Sequence, residues 1–355
     1  MKKTLALLAV LLLVQTGLAG YLWNHSRTQD AFVDDEPLLD FSTDHITAIT
    51  ITGPDKKTVI LKKKDSRWFL PGYFKAPADG DRVDELLAKL AGLKKSWPVA
   101  TTPEAATRFK VAADQFERHI ILKKGDTPVA ELYVGTSPSF RKVHVRLPSR
   151  PEIMAVTFST MDVNDTPDDW LDKDIATLDE DKIAAITLND IHLIHKNGKW
   201  TLADPGAQEQ PGRAANGEND ISTNQSNQKT DAKKANTIVH ALTGLRVDSV
   251  LGTEELPEYG LKKPVIHCRV RLRNKTTIDY RFGSIKDKAY YALKRSDLPY
   301  VFKTGKWQVK PLLNRQRKEL VATGTTKKAV QPLPDSSPGP QTKSQAGSQT
   351  PKQAP

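Results

Sequence analysis

Apolar residues recur at every second position in a series of short runs, and the series occurs twice along the chain. Ile46 to Thr52 reads ITAITIT, and Ile183 to Asn189 reads IAAITLN. Each is followed by a polar turn, a second alternating run and a tryptophan: TVILKKKDSRWFL with Trp68, and IHLIHKNGKWTL with Trp200. A period of two sends successive side chains to opposite faces of a strand, so each pair predicts a β-hairpin. Gly53-Pro54-Asp55 and Asn197-Gly198 supply the turn chemistry.

The period then lengthens. Val83, Leu86, Leu87, Leu90 and Leu93 form a helical stripe within residues 78–94, and Ala235, Ile238, Val239, Leu242 and Leu245 repeat it within 230–246. Asp79 and Asp231 stand where an N-cap carboxylate would accept the free N–H groups of the first turn. Further alternating runs follow in matching order. They are Arg118 to Lys123 and Ile266 to Leu272, VAELYVG and TIDYRFG, RKVHVRL and AYYALKR, then IMAV and YVF. Short helices are expected near Met161 and Leu312. The pattern predicts an α+β chain of two tandem homologous units, each a mostly antiparallel sheet with one long packed helix. The first unit covers 45–165 and the second 182–320, joined by a hinge over 166–181 in which Trp170 plugs the joint.

Before the first unit, Thr4 to Trp23 carries no charge over a length that matches a hydrocarbon core of roughly 30 Å. With Lys2 and Lys3 ahead of it, the run predicts an N-terminal transmembrane helix within 1–24, cytoplasmic at its start. A signal peptide ending at Ala19, with Gly17 and Ala19 as its small residues, is the other reading. Either way the bulk of the chain is exported. Residues 25–44 read as an acidic linker. The second unit carries an insertion at 205–230 too poor in apolar groups to order itself, and 321–355 is a basic Pro/Ser/Gln-rich tail.

The formal net charge of +11 comes from lysines and arginines scattered along strands, not interleaved with aromatics as in nucleic-acid readers. Nucleic acid is therefore not an expected partner; the scattered charge fits attraction to anionic envelope components, lipid headgroups included, and equally the solvated outer faces of strands. Cys268 is the sole cysteine, so no intramolecular disulfide forms, and it reads as a small core residue. Asp162 to Asp174 imitates a calcium loop but has Pro167 and Lys173 where the sixth-position glycine and twelfth-position glutamate belong. His192 and His195 fall on opposite faces of one strand. No catalytic, cofactor-binding or metal-binding residues are assigned.

Tyr259-Gly260-Leu261 with Pro264, followed by Gly283, Tyr290-Tyr291 and Val301, and combined with an N-terminal anchor and Trp68, resembles the bacterial domain-of-unknown-function family 4340. In the first unit the corresponding residues are Phe109-Lys110-Val111. The resemblance implies an envelope protein grouped with gliding-motility-type ABC transport components. Its partners would be an inner-membrane complex and, through the anchor, membrane lipids. The expected function is a non-enzymatic extracytoplasmic auxiliary or binding module. The alternative is an envelope hydrolase acting on glycans or peptides, which would need a cleft with two close carboxylates, one of raised pKa; Asp179 and Asp181 in the hinge are candidates, though a strand-entry turn also explains them.

Overall fold

The computed structural model describes residues 12–21, 36–203 and 229–322. The chain is α+β, with two mostly antiparallel sheets and few helices. The first half opens on a meander of β1 (Ala48–Thr52), β2 (Thr58–Lys64), β3 (Arg67–Leu70) and the two-residue β4 (Ala76–Pro77). Helix α1 (Gly80–Ala91) crosses the sheet to β5 (Pro98–Ala100). The short α2 (Pro103–Arg108) then leads to β6 (Arg118–Lys124), β7 (Thr127–Val134), β8 (Lys142–Arg146) and β9 (Ile153–Thr157). The spatial order is β4-β3-β2-β1-β6-β7-β8-β9-β5.

The second half contains β10 (Ile183–Leu188), β11 (Ile191–Lys196), β12 (Lys199–Leu202), α3 (Ala232–Thr243) and β13 (Ser249–Gly252). Then follow β14 (Ile266–Leu272), β15 (Thr277–Ser284), β16 (Tyr290–Arg295), β17 (Val301–Gly305) and α4 (Lys306–Val309). Its order, β12-β11-β10-β14-β15-β16-β17-β13, is that of the first sheet without the β4 edge.

Both long helices begin as the sequence indicated: Asp79 accepts from Arg82 N–H and Asp231 from Lys234 N–H. They are shorter than the apolar stripe, ending at the caps Gly92 and Gly244, while Leu93 and Leu245 remain buried just beyond. The faces they bury form two cores. One gathers Ile49, Ile51, Trp68, Leu86, Leu90 and Trp170 among others; the second gathers Ile186, Trp200, Ile238, Leu242, Tyr280 and Phe302 among others. Each buried large apolar side chain contributes roughly 1.5–3 kcal/mol.

Several expectations are corrected. Strands β5 and β13 and helix α2 were not legible as alternation. The helix expected near Met161 is a single 3₁₀ turn, Thr160–Asp162, with Met161 exposed. Residues 36–44, expected in the linker, instead pack on the first core: Leu38 and Leu39 are buried and Leu38 N–H donates to Leu93 O at 2.8 Å. Of the expected membrane segment, residues 12–21 are helical and the rest lies outside the described residues. Among the described residues no helix is long and apolar enough to cross a membrane. The 205–230 insertion and most of the tail also lie outside them. Thr230 and Val321, at their margins, form a bridge.

Candidate functional site

Sequence reasoning singled out Tyr259, Gly260, Leu261, Pro264 and Trp170. Tyr259 ends the 3₁₀ turn Pro257–Tyr259, and Gly260 follows with φ 64°, a left-handed conformation that a side chain resists. The turn lies flat on β15: a Cβ on Gly283 would sit 1.9 Å from Tyr259 O. Tyr259 is buried with its hydroxyl donating to Leu251 O at 3.1 Å, and Leu261 joins Ala292 and Val301 in a small satellite core. Pro264 lies two residues ahead of β14, and Val265 N–H makes the first bond to Phe282 O, 2.8 Å.

The first half makes the same turn with other residues. Lys110 takes φ 55°, and a Cβ on Gly135 would approach Phe109 O to 2.0 Å. Val111 is fully buried, and Phe109 stacks on His144 at 4.1 Å. Burial pushes the His144 pKa down, which favours the neutral ring in this stack. The chain here bends by geometry that lysine tolerates at a cost, and Lys110 Nζ is held by Glu117 at 2.5 Å.

Trp170 is fully buried, its indole N–H donating to Asn164 O at 2.8 Å and its own carbonyl accepting from Asp79 N–H at 2.8 Å. Around it lies the joint between the halves. The Tyr73 hydroxyl accepts from Val250 N–H at 2.8 Å and hydrogen-bonds the Asp168 carboxylate. Burial pushes its phenol well above the usual range. Tyr300 donates to Lys75 O at 3.0 Å, Val247 N–H to Lys173 O at 2.9 Å, and Arg246 pairs with Asp174 at 3.0 Å. Ala76 and Leu171 are buried in the second core.

Beside this joint opens a cleft of about 570 Å³ lined by Asp79, Asp81, Glu85, Asp172 and Asp174 with Arg82. Burial, reinforced by the neighbouring Asp174 and Asp79 charges, pushes the Asp172 carboxyl above its ordinary value, although Asp174 N–H donates to it. Sequence reading missed this cleft, because Asp79 and Asp172 are far apart in the chain. The acidic run itself is dispersed among separate partners: Asp162 pairs with Lys89 at 2.7 Å and Asp165 with Arg118 at 3.0 Å. Asp179 caps its own turn by accepting from Asp181 N–H. His192 lies near Thr187, whereas His195 stacks on Trp200 at 4.6 Å. Among the described residues no group of three or more His, Cys, Asp or Glu is arranged to hold a metal ion. Cys268 is fully buried.

Two sheets of matching strand order, riveted at a hydrogen-bonded joint, make this chain a two-sheet α+β scaffold. It belongs to the family described as "Domain of unknown function (DUF4340)", whose model matches residues 68–264, more than half of the chain and both sides of the joint. No curated protein and no solved structure matches it.

Proposed function

We propose that the chain is a non-enzymatic, membrane-anchored extracytoplasmic module, built by duplication of one α+β unit. In this reading it serves as an auxiliary of an envelope ABC-type transport complex in the bacterial inner membrane. The carrying observation is the shared strand order of the two sheets together with the left-handed turn at Lys110 and Gly260, each pinned over a glycine of the following strand. A doubled scaffold offers two similar surfaces on one tether, which favours simultaneous engagement of a partner. The family resemblance supplies the transport association.

One observation favours a second reading, an envelope hydrolase: the acidic cleft with Asp172 pushed up. Complementation of a deletion strain separates the two. The module reading expects Asp179→Asn with Asp181→Asn, and separately Asp172→Asn, to complement normally. It expects loss when residues 1–24 are replaced by a cleavable signal. Loss with Asp172→Asn and retention by the released form would establish the hydrolase reading instead.

A further inference from the structure

The point at which the chain enters the first core, at Glu36, lies beside an exposed edge of mixed apolar and basic character. Glu36 forms an ion pair with Lys95, whose backbone N–H also donates to Glu36 O at 3.0 Å, and Pro37 bridges Lys94. Lys95 holds the Glu36 carboxyl below its usual range, and Arg150 directly follows Leu147, Pro148 and Ser149, which face the docked residues Leu38, Leu39 and Asp40. Two residues beyond Lys95 stands Trp97, 67 % exposed, then Pro98 and Val99, 50 % exposed. Trp97 immediately precedes and Pro98 and Val99 open β5, one of the two edge strands of the first sheet, which pairs with β9 alone. A groove of about 360 Å³ next to the docked residues Leu38, Leu39 and Asp40 is lined by the half-exposed Val129 and by the acidic Asp40 and Glu131.

Three residues long and opened by Pro98, this edge is blunted against pairing with a further strand, so the exposed Trp97 and Val99 do not serve strand addition. Tryptophan prefers the boundary of water and lipid, where its ring is apolar and its N–H remains wet. Lys95 is already paired with Glu36, but Lys94 and Arg150 leave the corner with a positive balance that matches an anionic headgroup layer. The chain length points the same way. If residues 4–23 cross the membrane, the stretch from residue 24 to Glu36 reaches at most about 45 Å even when fully extended. The tether thus keeps the corner holding Glu36 within reach of the leaflet, and contact itself must come from the corner's own surface. The linker is itself acidic through Asp30, Asp34 and Asp35, so attraction to an anionic leaflet must come from the folded edge.

We propose that the Lys94–Ala100 edge, with Arg150, docks on an anionic lipid surface and lays the first sheet edge-on against the membrane from which it hangs. This rests on the membrane-anchored reading above.

The test uses the full chain reconstituted in phosphatidylcholine vesicles with or without phosphatidylglycerol. Trp97→Cys is labelled with a polarity-sensitive fluorophore; Cys268 is fully buried and contributes no background. Phe140→Cys, at an 87 % exposed site in the β7–β8 loop, is the control. The label at 97 is expected to shift to the blue only with phosphatidylglycerol, and to shift back in high salt, as the Debye length contracts to roughly 3 Å at 1 M. Lys94→Glu with Lys95→Glu should lower the docked fraction about tenfold or more, two basic contributions being removed. The label at 140 should stay water-like throughout. A vesicle-bound protein whose label at 97 is as water-like as at 140 overturns the dock and leaves the anchor standing. Failure of the chain to float with vesicles overturns the anchor, and the dock with it. A blue shift in native membranes that lipid-only vesicles do not reproduce assigns the edge to a protein partner and overturns the lipid proposal.

Discussion

Gly283 and Gly135 show how single residues set the outer layer of each sheet. At both, an added methyl would meet backbone first, and at Gly135 the buried Val111 side chain as well, so the strand and the turn above it are fixed together. Gly260 relieves its turn of the strain that Lys110 bears at φ 55°, typically 1–2 kcal/mol for a residue with a Cβ. The paired tryptophans differ too. Trp200 N–H donates to Glu180 at 2.8 Å, whereas the buried Trp68 N–H has no partner among the described residues. Asp172 gives the clearest test at this scale. Its folded pKa lies above the unfolded value of about 3.9, so the native state takes up the proton first. Stability therefore falls as pH rises from below the unfolded pKa through the folded one. Asp172→Asn keeps an oxygen for Asp174 N–H while removing the charge. It is expected to raise Tm at neutral pH and to lose that advantage below about pH 4, where both forms are neutral. Thermal unfolding across pH checks this, and an equal gain in acid would show that charge is not the cause.

Elements were legible in proportion to how far local pattern decided them. Strands with strict alternation and both long helices stand where the sequence indicated, because one face of each is buried and the other is not. Strands β5 and β13 escaped notice because each is a short edge with one partner, chosen by the sheet and not by its own residues. Val99 is even exposed, the reverse of a core signal. The docking of Leu38 and Leu39 was hidden for a similar reason: it depends on a surface made by the end of α1, distant in sequence. In the site, glycine advertised the turn at 260, while Lys110 disguised the same turn at 110. The cleft at Asp172 was invisible until the joint brought α1 beside the hinge. Helix α1 carries a direct test of core burial. Leu90 is fully buried on its inner face, so Leu90→Ala should cost roughly 2–5 kcal/mol in denaturant unfolding. A loss under about 1 kcal/mol would mean that the helix packs more loosely than its buried stripe implies.

At the scale of the molecule, the question is whether the two sheets behave as one body. Interfaces between units within a chain usually permit relative motion unless they are large and apolar. This joint is bound by several backbone groups and by two tyrosine hydroxyls reaching across it. Tyr73 is the more demanding of the two, because its hydroxyl satisfies the Val250 N–H and the Asp168 carboxylate at once. Tyr73→Phe keeps the ring and its packing but leaves both groups without that partner. A half-buried group so stranded costs roughly 1–3 kcal/mol. Because Val250 sits on the edge strand β13, its amide has little other protection on that side. Hydrogen exchange in Tyr73→Phe should therefore accelerate at Val250 and around Asp168, while amides of β1 and β10 in the sheet interiors keep their rates. If the joint couples the halves, the single unfolding transition expected of the parent chain should broaden or split in this variant. Unchanged protection at Val250 would mean that the joint is held by its backbone bonds and buried Ala76 and Leu171 alone, with the tyrosine merely resting on it.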